Sequence, residues 1–153
     1  MDKNTFIENI VRAFYERATQ DVIIGYQFQK IIDFERHIPK IILFWQFQLL
    51  QKSNSFNLPS IDLEYPAEGF NLIKVHRPLH IHRGEVGRWA TLFKNVLNEQ
   101  QEKYKKNFKA TDTNFTCDQI FILMADWNKK ITLFEEKFLE SPLFFGGTGS
   151  TIN

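Results

Sequence analysis

Cysteine is nearly absent from this chain: Cys117 stands alone among 153 residues. One thiol closes no internal disulfide and builds no multi-cysteine zinc or iron–sulfur site, so a reducing compartment, the cytoplasm, is the expected location. An excess of charge is lacking as well. With a formal net charge of +1, no electrostatic argument favours nucleic acid or an anionic membrane as partner. Long apolar runs are missing, and the stretch Ile41–Trp45 is far too short to span a bilayer. Met1–Thr5 lacks the basic-then-apolar pattern of a secretory signal. There is no internal repeat, no His-Glu-x-x-His pattern and nothing like a flavin or nicotinamide motif. What is plentiful is phenylalanine, 16 residues against 7 glycines. A domain so rich in aromatics has either a bulky core or a pocket for something flat and apolar.

The apolar spacing is helical throughout, and the expected fold class is all-α. Thr5 and Glu8 have capping-box spacing at the start of a first helix. Phe6, Ile10 and Phe14, beside Val11, Tyr15 and Ala18, give that helix two adjacent apolar rows. A break follows from Asp21 to Gly25. A second helix is expected from an Asp33 N-cap to about Leu50, with Pro39 in its first turns. His37, Ile41, Phe44 and Trp45 fall on one of its faces. Gln51–Gly69 reads as a long polar link. Then comes a short apolar element, Phe70–Val75, ended by His76. Pro78 forbids one helix from His76 to His82. The next helix opens near Gly84 and Glu85 and carries Trp89, Leu92, Phe93 and Val96 inward. A last helix, from about Thr116 to Leu139, places Ile120, Met124, Trp127, Ile131 and Phe134 in one stripe. Residues 1–140 are expected to form one domain and 141–153, with its Gly146–Ser150 run, a disordered tail.

Several of these pieces together resemble a known family. Phe14-Tyr15, then Asp21–Phe28 with Gly25, then His37, Pro39 and the Phe44-Trp45 pair are similar to the truncated haemoglobins of the third group. His76, followed thirteen residues later by Trp89 with Leu92 and Phe93 behind it, resembles that family's proximal histidine and the tryptophan of its next helix. The resemblance covers about residues 5–100. It departs in the length of the 51–69 link, in the polar segment from Gln101 to Phe115, and at His80, a second histidine close to His76.

The resemblance implies a globin-like two-over-two helical sandwich around one haem b that binds oxygen, nitric oxide or carbon monoxide. His76 would ligate the iron and Tyr15 would donate to the gas from the other wall. Phe14, Phe28, His37, Ile41, Phe44, Trp45 and Trp89 would line the pocket, and Lys74, Arg77 and His82 would flank the haem propionates. The expected roles are oxygen binding, sensing or nitric oxide dioxygenation, or a peroxidase-like activity, with an external reductase for any redox turnover. Two other readings of the residues stand beside it. His76, His80 and His82 could form a haem-free metal site. A globin-shaped domain without haem could work through protein contacts.

Overall fold

Asp2, not Thr5, opens the first helix: its carboxylate accepts the Thr5 N–H at 2.8 Å. Glu8, expected to complete a capping box, instead pairs with Arg12 one turn on at 3.0 Å. In the computed structural model, residues 1–50, 72–108 and 115–141 are described, and every regular element among them is helical. They form α1 (Lys3–Ala18), α2 (Gly25–Gln29), a 3₁₀ turn (Phe34–Arg36), α3 (Ile38–Leu50), α4 (Leu72–His76), a second 3₁₀ turn (Arg77–Leu79), α5 (Arg83–Asn107) and α6 (Cys117–Glu140). The 51–69 link, residues 109–114 of the polar segment, the Lys74 side chain and the tail from 142 lie outside the described residues.

The expected second helix is two elements. Asp33 does not cap it; its backbone is left-handed, with φ 52°, and its side chain makes no cap hydrogen bond. α3 starts only at Ile38, which puts Pro39 at its second position. There a missing N–H costs nothing, whereas in a helix opening at Asp33 the same proline would have left the Glu35 carbonyl unpaired. The buried face of α3 is Ile38, Ile42 and Trp45, with Ile41 and Phe44 partly buried beside it. That face lies one residue round from the row of His37, Ile41 and Phe44.

Four helices close on one another: α1 packs against α3 and α5, α5 against α6, and α3 against α6. Each sends a ring to the centre. Phe14 of α1 stacks on Phe93 of α5 with centroids 4.1 Å apart, and Trp45 of α3 and Trp127 of α6 meet Phe93 at 5.4 and 5.6 Å. Phe134 closes the group against Trp45. The stripe of α6 from Ile120 to Phe134 is buried as its spacing requires. At the far end Phe6, Tyr104 and Phe115 meet, and the Tyr104 hydroxyl donates to the Phe115 carbonyl at 3.0 Å.

The turn between α1 and α2 is tight. A β-carbon on Gly25 would stand 2.8 Å from the Thr19 carbonyl oxygen, so only glycine lets α2 fold back so closely. No described helix is long and apolar enough to cross a membrane.

Candidate functional site

Tyr15 occupies the last full turn of α1, at the edge of its buried face. Three rings cage it: Phe14 at 4.8 Å, Phe28 of α2 at 5.8 Å and Phe34 of the first 3₁₀ turn at 5.3 Å. His37 stacks on Phe34 at the rim, 6.3 Å between centroids. The Tyr15 hydroxyl makes no hydrogen bond among the described residues, and burial pushes its ionisation above the usual phenol range. On its outer side Tyr15 lines a cleft of about 260 Å³ with Arg12, Glu16, Thr19, Gln20, Glu35 and Ile38. A phenol so placed is free to donate to whatever small polar group enters.

His76 ends α4, and the elements around it form a second, smaller apolar cluster: Val86 and Phe138, with Ile73, Ile81 and Leu139 against them. Its imidazole meets Phe138 edge-on at 5.5 Å and is partly exposed. The expected pocket residues therefore fall into two groups. Phe14, Tyr15 and Phe28 share one ring cluster with His37 at its edge, and Phe14 continues through Phe93 to Trp45 and Trp89. Phe44 and Trp45 meet over Phe134, and Ile41 packs partly buried against the same core. Among the described residues no ring contact joins His76 to the Tyr15 cluster.

The three neighbouring histidines do not converge. His80 is exposed with a left-handed backbone, φ 50°, and His82 is the exposed N-cap of α5. Among the described residues no group of three or more His, Cys, Asp or Glu side chains is placed to hold a metal. Arg77 is exposed on the same turn.

A set of polar contacts that no local spacing encodes joins the 21–30 segment to the stretch after His76. Gln27, buried, donates from Nε2 to both oxygens of buried Glu85 at 3.1 and 3.2 Å. Glu85 also accepts the His82 N–H at 2.8 Å and the Tyr26 hydroxyl. Burial alone would raise the Glu85 ionisation, but the Tyr26, His82 and Gln27 hydrogen bonds outweigh it and hold the carboxyl below its usual range. Lys30 Nζ donates to the Leu79 carbonyl at 2.9 Å. Asp21 caps the turn at Ile23 and Ile24 and receives Arg88 at 2.6 Å. From the other side Arg83 donates to the Leu139 carbonyl at 3.0 Å. The one signal that could have found Glu85 is its capping-box spacing from His82. Two buried polar atoms, Gln27 Oε1 and Trp127 Nε1, have no partner among the described residues.

No family model matches the chain, and neither any curated protein nor any solved structure compared with it does. The site is therefore read from its chemistry: one partly exposed imidazole at a helix end, one phenol in an aromatic cage with no hydrogen-bond partner among the described residues, and a ring-packed core between helices.

Proposed function

We propose that this chain is a haem b protein that binds diatomic gases, folded as the two-over-two sandwich of the truncated haemoglobins, with His76 as iron ligand and Tyr15 as donor to the gas. The observation that carries the reading is the Tyr15 phenol. It is caged by Phe14, Phe28 and Phe34, has no hydrogen-bond partner among the described residues, and stands where the sequence resembles that family. A single imidazole among apolar side chains is a donor that could hold haem iron, which supports the reading.

Haem b, held through one imidazole, would supply an iron atom able to bind a small gas. His76, at the end of α4, would hold it, and Phe138 against its ring limits how the imidazole turns. Tyr15 would donate its hydroxyl hydrogen in a hydrogen bond to a polar gas. Phe14, Phe28 and Phe34 would shield that bond from water on their side, which strengthens it. His37, stacked on Phe34, would control access to the site on this reading. Redox turnover, such as nitric oxide dioxygenation, takes its electrons from an external reductase.

The test is an absorption spectrum of the freshly purified, unsupplemented protein, with three variants beside it. The wild type should show a Soret band. His76→Ala should lose it, while His80→Ala and His82→Ala keep it. A colourless His80→Ala beside a red His76→Ala would move the ligand to His80; a colourless wild type that takes up no added haemin would remove the haem reading altogether.

A further inference from the structure

α6 buries one side against α5 and α3 and leaves the other open to solvent. On that outer side two large apolar residues stand clear of the core stripe: Ile122 is 68% exposed and Leu133 45%, and Phe121, at 63%, borders them. Charged residues frame the pair in a definite order. Asp118 and Asp126 lie in the first half of the helix, Lys129 and Lys137 in the second. At ~3.6 residues per turn, these four and the apolar pair fall within about a third of the helix circumference. None of the four makes an ion pair among the described residues. The helix dipole accounts for Asp118 in the first turn and Lys137 in the last. It accounts neither for Asp126 and Lys129 nor for the two apolar side chains set out in water between the charges.

We propose that this face of α6 docks a second copy of the chain, antiparallel, about a two-fold axis that passes between Trp127 and Asn128. In that pairing Asp118 meets Lys137, Ile122 meets Leu133 and Asp126 meets Lys129, because the members of each pair stand equally far from the axis. Every contact forms twice, as a two-fold interface requires. Other arrangements fail on charge. A parallel pairing sets each charged residue beside its own copy. An antiparallel one centred on Lys129 brings two lysines together and puts Asp118 against Glu140. The apolar contact supplies the adhesion and the charges supply the register: exposed ion pairs add little energy, whereas like charges in contact exclude the wrong alignment. The inference is independent of haem, since α6 turns this face outward whatever His76 holds.

Sedimentation of the whole chain across a concentration series tests this. Wild type should pass from monomer to dimer as concentration rises. Ile122→Asp and Leu133→Asp should each raise the dimer dissociation constant by about ten-fold or more, as loss of a central apolar anchor does, with the helical circular dichroism unchanged. Val22→Asp, at a 94% exposed residue outside this face, should leave the dimer as it is. Asp126→Lys and Lys129→Glu should each weaken the dimer and together restore it, since the double variant again sets opposite charges opposite. Orientation is read by cross-linking. With Cys117→Ser as background, the double variant Ile122→Cys, Leu133→Cys should oxidise to a disulfide-linked dimer, and Ile122→Cys alone should not. A wild type that stays monomeric at every concentration overturns the proposal, as does a dimer untouched by Ile122→Asp and Leu133→Asp. A disulfide formed by Ile122→Cys alone would make the pair parallel and overturn it as well.

Discussion

A phenol in an aromatic cage has two measurable properties, one for each protonation state. Neutral Tyr15 can donate, and on the proposed haem reading bound oxygen would draw partial negative charge, so the hydrogen bond should be worth ~1–2 kcal/mol. Carbon monoxide is nearly nonpolar and gains little. Tyr15→Phe should therefore speed oxygen dissociation about ten-fold, since ~1.4 kcal/mol is one decade, and leave carbon monoxide dissociation unchanged. Equal acceleration of both gases, in stopped-flow exchange, would reduce Tyr15 to packing. The ionised form gives a second check on the same residue. Burial raises the folded ionisation above that of the unfolded chain, so the neutral phenol is tolerated at no cost below the ordinary phenol range, and stability falls as pH rises from that range toward the folded value. Wild type should accordingly lose stability at strongly alkaline pH where Tyr15→Phe does not. The substitution itself should cost little at neutral pH, because the hydroxyl has no hydrogen bond among the described residues to lose.

At the scale of elements, the junction between the α1–α2 turn and α5 rests on Asp21. Its carboxyl receives Arg88 and two backbone N–H groups, and the Arg88 hydrogen bonds, ahead of the backbone ones, pull its ionisation from 3.8 down to about 2. A depressed carboxylate adds stability that is complete above the unfolded value and disappears as pH falls through the folded one. Asp21→Asn should thus cost ~1 kcal/mol at neutral pH, discounted for the exposure of Arg88. The gap between wild type and variant in urea melts should narrow as pH drops below 4 toward 2. A gap that stays constant with pH would mean that the turn, not the ion pair, holds the junction. This junction also marks what the sequence could and could not show. The stripes of α5 and α6 were legible because apolar residues recur at helical spacing from Val86 to Leu97 and from Ile120 to Phe138. The start of α3 was not, because Asp33 is chemically a good cap but sits in a left-handed turn, and Pro39 alone determined where the helix could begin. The ring cage was partly legible. Phe14, Tyr15 and Phe28 stood out, while Phe34 had no periodic partner to mark it. Gln27–Glu85 and Asp21–Arg88 span 58 and 67 residues, and no local spacing encodes a pairing at that distance.

For the whole molecule, the decisive feature is that the main core and His76 belong to different clusters. Phe14, Trp45, Phe93 and Trp127 tie α1, α3, α5 and α6 together ring on ring, while His76 lies outside them against Phe138. Folding of the four helices should therefore depend little on His76, and haem binding should depend on it heavily. Linkage turns that separation into a measurement. A ligand that binds only the folded chain stabilises it by ~4 kcal/mol at a thousand times its dissociation constant, about 10 °C in melting temperature for a chain of this size. Without haemin, wild type and His76→Ala should melt close together. With haemin in excess, the wild type should rise by that amount and His76→Ala by far less. A globin-shaped domain working only through protein contacts predicts no rise in either. A His76→Ala chain that already melts well below wild type without haemin would make His76 a packing residue of the Phe138 cluster. Equal rises in both chains would keep the cofactor and remove His76 as its ligand, so the four melts together assign the histidine.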